Sequence, residues 1–117
     1  MLSPQRDIAI PVRLGFDYTG AQTATALWTP TAGMRFNVSS IALAGLCPAA
    51  AGQIIVFQGT DSAANWVLVA SHASSEVLHL FYAYPRPIRG ALDAVLRLTN
   101  TQAINPFRVI VCGYESA

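Results

Sequence analysis

Apolar and polar positions alternate along most of this chain with a period of two. Near the start, Ile8, Ile10, Val12, Leu14 and Phe16 are separated by Asp7, Ala9, Pro11, Arg13 and Gly15. Successive side chains of a strand point to opposite faces, so this segment reads as a half-buried strand. Proline cannot donate to a ladder, and Pro11 therefore assigns the strand to a sheet edge or a bulge. Tyr18-Thr19-Gly20 reads as a turn. Residues 22–29 are Thr-rich and reach Trp28, and Pro30-Thr31-Ala32-Gly33 follows as a tight turn. Residues 34–46 predict a long strand whose bulky positions change phase midway, with Met34, Phe36 and Val38 first and Ile41 and Leu43 after. A bulge near Ser39-Ser40 accounts for the change.

Residues 48–52 and 59–65 read as loops around a nearly continuous apolar strand at 53–58. Strands at 66–71, 76–82, 93–99 and 107–114 complete the set. In 93–99, Leu92, Ala94, Leu96 and Leu98 face one way, and Asp93, Arg97 and Thr99 the other. Residues 84–90, Tyr-Pro-Arg-Pro-Ile-Arg-Gly, predict an extended connection, because a residue before proline avoids the helical region. A helix competes only at 74–84, where Leu78, Leu80, Tyr82 and Tyr84 fit a strand better. About eight short strands at regular spacing predict a single all-β domain over residues 1–117, an antiparallel sandwich or barrel. Residues 1–10 form either an N-terminal arm or an edge strand.

Composition adds a surface to this picture. The chain is 53% hydrophobic and only 11% charged, whereas an average soluble domain is about 25% charged. A folded chain of this mass exposes roughly 6,200 Å², and few charges exist to cover it. Apolar surface of that kind marks a contact face, so a homo-oligomer is expected. All seven basic residues are Arg: Arg6, Arg13, Arg35, Arg86, Arg89, Arg97 and Arg108. They are scattered, without the clustered basic field that nucleic acid requires. Arg in place of Lys also matches the composition of interfaces. The longest apolar stretch, 41–57, is interrupted by Gly45, Pro48, Gly52 and Gln53, so it predicts two strands and a turn rather than a membrane span. Arg6 and Asp7 interrupt the start, and no secretory signal is expected there. Cys47 and Cys112 lie in apolar segments and read as two buried thiols rather than a disulfide.

Catalytic chemistry is sparse. His72 reads as a solvated residue at a strand end. His79 alternates with Val77 and Phe81 and reads as a packed or interface histidine. The six carboxylates, Asp7, Asp17, Asp61, Asp93, Glu76 and Glu115, offer no pair on one strand face. No nucleophile elbow, phosphate loop or metal-ligand spacing occurs. A non-enzymatic protein without cofactors is expected. Trp28, Trp66, Tyr82, Tyr84 and Tyr114 are candidates for a sugar-stacking platform, although core packing and subunit contacts account for them equally well.

Three stretches carry a resemblance. They are Ala26-Leu-Trp-Thr-Pro-Thr-Ala-Gly-Met-Arg35, Gly90-Ala-Leu-Asp-Ala-Val-Leu-Arg-Leu98 and Val109-Ile-Val-Cys-Gly-Tyr-Glu115. Together they resemble small β-sandwich virion proteins of tailed bacteriophages, the capsid decoration (cement) proteins and related fibre or tail modules. The resemblance covers the chain from about Phe16 onward and rests on turn-and-strand patterns. It implies a jelly-roll-like sandwich, usually trimeric, on the surface of a capsid assembled in the host cytoplasm. There it would bind the major capsid protein or another virion protein and stabilise the head. Partner contacts are expected at Leu2, Arg6 and Ile8, where an arm would add a strand to a neighbouring sheet. They are also expected at Ile110 and Tyr114, on the face of the last strand opposite Phe107, Val109 and Val111. The alternative is a receptor-binding or tail-fibre module for host surface polysaccharide. A third reading is a small trimeric binding domain, lectin-like or TNF-like. No nucleic acid and no membrane is expected as partner.

Overall fold

A computed structural model describes residues 9–117. It contains eight strands: β1 (Ile10–Tyr18), β2 (Thr25–Trp28), β3 (Arg35–Leu46), β4 (Gly52–Gln58), β5 (Trp66–His72), β6 (Val77–Arg89), β7 (Leu96–Asn100) and β8 (Phe107–Ser116). No helix occurs among the described residues. Sheet A has the order β1-β8-β3-β6 and sheet B the order β2-β7-β4-β5. The antiparallel pairs are nested: β1 with β8, β2 with β7, β3 with β6, β4 with β5. That is a long hairpin wound up into two sheets, the jelly-roll arrangement, and the expected all-β antiparallel sandwich is the observed fold.

The core lies between the sheets. Phe36, Val38, Ile41 and Leu43 of β3 meet Phe107, Val109 and Val111 of β8 there, with Ile54, Val56, Leu96 and Leu98 arriving from sheet B. The spacing of the β3 residues works because both of its pairings shift between Val38 and Ser40. One extra residue at Ser39 resets the phase, so all four bulky side chains face inward. β1 is the edge of sheet A, where Pro11 is tolerated.

Four expectations are corrected. The proline-rich stretch 84–90 is not a connection, because β6 continues to Arg89. Val38 faces Ile88 while Ser40 faces Ala83, so residues 84–87 bow out opposite Ser39 alone. β6 is a sheet edge, so Pro85 and Pro87 cost no ladder bond there. The bend lets the Tyr84 hydroxyl donate to Val67 O on β5 at 3.1 Å, tying the two sheets. Second, β7 begins at Leu96 rather than Asp93. Asp93 takes a left-handed conformation, φ 57°, which Asp tolerates in turns. Its carboxylate accepts from Gly33 N at 2.7 Å, and its own N–H donates to Met34 O at 3.0 Å. Leu92 is therefore exposed in a turn and does not share the inward face of Leu96 and Leu98.

Third, His72 is buried rather than solvated. It ends β5 opposite Gly52, and a Cβ on Gly52 would come within 3.0 Å of His72 Nε2. The missing side chain makes room for the ring. Nδ1 donates to Ala73 O at 3.1 Å. Fourth, Cys112 is half-buried while Cys47 is buried, and neither is in a disulfide.

The three stretches that carry the phage resemblance converge at one end of the sandwich. Glu115 accepts from Trp28 Nε1 at 2.9 Å and from Thr31 N at 3.1 Å. Gly113 lies against Asn37 O and the Trp28 ring, with no space for a side chain. Gly90 N–H donates to Phe36 O at 2.8 Å, and its α-carbon faces the Phe36 ring.

Candidate interaction surface

The outer face of sheet A is built by the residues that alternate with the core set. β6 contributes Val77, His79 and Phe81; β3 contributes Ala42, Ala44 and Leu46; β8 contributes Arg108, Ile110 and Cys112; β1 contributes Arg13, Gly15 and Asp17. Register sets them in rows across the strands. Gly15 faces Ile110, Ile110 faces Ala42, and Ala42 faces Phe81. The next row is Asp17, Arg108, Ala44 and His79.

Small residues between large ones make this face concave. Ala42 and Ala44 form the floor of an apolar depression of about 380 Å³, walled by Ile110, Arg108, His79 and Phe81. A second depression of about 220 Å³ lies over Gly15, between Arg13, Asp17, Arg108 and Ile110. The two share Arg108 and Ile110, so one trough crosses the sheet. Its apolar half is continued by Leu46 and Val77. Val77 is 74% exposed and Phe81 68%, values at which a large apolar side chain gains by being covered.

The charges lie at the β1 side. Arg108 donates to both Asp17 oxygens, at 2.8 and 3.0 Å. That hydrogen bond holds the Asp17 carboxyl below its ordinary value and raises that of the guanidinium. Both side chains are exposed, so the pair orders the surface more than it stabilises the fold. Arg13, on the same face, has no ion-pair partner among the described residues.

Of the five residues expected to bind partners, Leu2, Arg6 and Ile8 lie outside the described residues. Ile110 stands at the centre of the trough. Tyr114 shares its strand face but lies at the far end, opposite Pro11. There it lines a separate depression of about 420 Å³ with Asn37, Pro87, Arg89 and Ser116. Phe81, Ala42, Ala44 and Gly15 were not singled out as contact residues from sequence. The one local signal for them was the apolar alternation of Val77, His79 and Phe81, which already put His79 on such a face.

The five aromatic residues considered for sugar stacking do not share a platform. Trp28 is in the core, and Tyr82 and Tyr84 face inward. Trp66 is exposed in sheet B, its indole donating to Ser62 O at 2.6 Å. Tyr114 lies in sheet A. Among the described residues no group of three or more His, Cys, Asp or Glu side chains is placed to hold a metal ion, and no helix could cross a membrane. Comparison with protein-family models, with curated proteins and with solved structures finds no match to this chain.

Proposed function

We propose that this chain is a non-enzymatic structural virion protein of the capsid-decoration type, which stabilises an assembled phage head by covering part of its surface. The observation that supports this reading is the outer face of sheet A. It is a trough of Phe81, Ile110, Ala42, Ala44, Leu46 and Val77 on a four-stranded sheet whose other face is already the core. An exposed apolar stretch of this kind on a sheet face opposite the core marks a contact surface. The shape suits a flat or convex protein surface better than a small molecule. The function that follows is mechanical: each copy adds buried interface between neighbouring capsid subunits and opposes their separation. An oligomer presents several copies of one weak patch, and only an assembled lattice offers matching sites at the right spacing. Simultaneous engagement raises avidity by about 10²–10⁴.

Co-sedimentation with empty, expanded capsids tests the reading. The protein is expected to pellet with capsids and not with free capsid subunits. An apolar contact should survive high salt. Binding to bacterial surface polysaccharide, with none to capsids, would replace this reading with the receptor-binding one.

A further inference from the structure

We propose that two copies of this chain join along the outer edge of β1, antiparallel and two-fold, so that sheet A runs on through the pair. β1 ends its sheet, and among the described residues nothing pairs with its outer side. The direction of its backbone groups follows from the ladder. Leu46 donates to Pro106 O and accepts from Asn105 N, each at 3.1 Å. Residues of β3 in phase with Leu46, namely Ala42 and Ala44, therefore bond to β8. Their β8 partners Ile110 and Arg108 are committed to β3, and Val109 and Val111 turn toward β1. Their β1 partners are Phe16 and Leu14. The N–H and C=O groups of Arg13, Gly15 and Asp17 are left pointing outward. Pro11 shares that phase, so its missing N–H also faces outward.

An unpaired strand edge is a template for another strand. Of the other three edges, β2 is four residues long, β6 carries Pro85 and Pro87, and β5, Trp66–His72, holds no Arg, Asp or Glu that could select a register. β1 has its one proline near its start, and beyond it the segment from Val12 to Tyr18 reads Val-Arg-Leu-Gly-Phe-Asp-Tyr. Laid antiparallel on itself about Gly15, this segment is self-complementary. Arg13 falls opposite the partner's Asp17, and Asp17 opposite the partner's Arg13. On the core side Leu14 meets the partner's Phe16 and Val12 meets the partner's Tyr18. The three outward-pointing residues 13, 15 and 17 are the ones that this register hydrogen-bonds. A shift by two in either direction puts an Arg13 or an Asp17 opposite glycine, so the charges select the register. Asp17, which already holds Arg108, then lies between two guanidinium groups, and Arg13 gains a carboxylate. Gly15 at the axis has no atom near the position of a Cβ, which leaves the crossing unobstructed.

This contact is independent of the capsid reading, and it builds pairs rather than the threefold assembly that the phage resemblance implies. Light scattering at micromolar concentration is expected to give twice the 12.5 kDa protomer mass. Arg13→Glu and Asp17→Arg each set like charges opposite one another at two places. Each is expected to weaken the pair about tenfold or more while leaving circular dichroism unchanged. An equimolar mixture of the two variants should pair again, because the new carboxylate of one faces the new guanidinium of the other. In a hydrogen-bonded pair the two Gly15 α-carbons are about 5.5 Å apart, within disulfide range. Gly15→Cys should therefore cross-link to itself under mild oxidation. A native mass of one or three protomers, single variants that pair as the native chain does, or a mixture that stays monomeric would overturn the proposal.

Discussion

Removing the Glu115 carboxylate is expected to open one end of the sandwich. Glu115 faces inward from β8, where its register partners are Ile10 and Phe36. Burial alone would raise its pKa, but the hydrogen bonds from Trp28 Nε1 and Thr31 N outweigh it and hold the carboxyl below its ordinary 4.5. Trp28 is 2% exposed, so without Glu115 its N–H has no water to turn to. An orphaned buried donor costs about 1–3 kcal/mol. The Thr31 N–H is more accessible, and its lost charge-assisted bond adds about 1 kcal/mol. Glu115→Ala should therefore lose about 2–4 kcal/mol, a large share of the roughly 5–15 kcal/mol of a domain this size. Tm should fall by roughly 10–20 °C. Urea unfolding followed by tryptophan fluorescence measures the loss. In a Trp28→Phe background the same substitution should cost less by about 1–2 kcal/mol, since the donor is already gone. The pH dependence has a fixed sign. A carboxyl with a depressed folded pKa stabilises above its unfolded value, and this contribution disappears as pH falls through the folded value. Glu115→Gln should thus lose less stability than the native chain on acidification below about pH 4.5. A loss under about 0.5 kcal/mol, or full additivity with Trp28→Phe, would refute the latch.

Phe81→Ser should leave urea stability within about 0.5 kcal/mol, because the ring is already largely in solvent. The same change should weaken capsid binding about tenfold for each engaged copy, as burying an exposed Phe contributes about 1–2 kcal/mol. Loss of stability with binding intact would mean that the partner docks elsewhere. In a thiol-reagent time course on the folded protein, Cys112 should react first. Cys47 should lag, since burial, and after it the nearby Glu76 charge, push its thiol pKa up. Both thiols should titrate after denaturation, and a missing thiol there would reveal a disulfide.

What the sequence made legible was whatever a few neighbouring residues decide. The strand at β1, the choice of edge or bulge that Pro11 imposes on it, and the β3 bulge at Ser39-Ser40 follow from local alternation. So does the division of β8 into an inward set of Phe107, Val109 and Val111 and an outward set with Ile110. What escaped was decided by partners far along the chain. Asp93 forms a turn because Gly33, on the β2–β3 turn, donates to it. His72 is buried because Gly52 happens to be its register partner. The prolines of β6 fit because Ser39 alone lies opposite their bend. The trough escaped for the same reason. Alternation gives the face on which Ile110 lies, but only register shows that Ala42 and Phe81 stand in line with it.

The three stretches that close one end of the sandwich and the trough belong to different parts of the molecule. Trp28, Thr31, Gly33, Gly90, Asp93, Gly113 and Glu115 are all occupied in closing one end of the sandwich. Their side chains and close approaches are spent within the chain, so a likeness in those stretches speaks for a way of closing a jelly roll. Function resides in sites placed on a fold rather than in the fold itself. The residues left over after folding are those of the sheet A face and the β1 edge, where Phe81 and Val77 stand in solvent and Arg13 has no ion-pair partner among the described residues. The two are compatible in one assembly. Edge pairing lies in the plane of the sheet and leaves its outer face uncovered, so a two-fold pair would present two troughs side by side on one continuous sheet. Each weak apolar contact would then have a second within the same rigid body, which is the arrangement in which avidity for a regular surface exceeds affinity for one subunit.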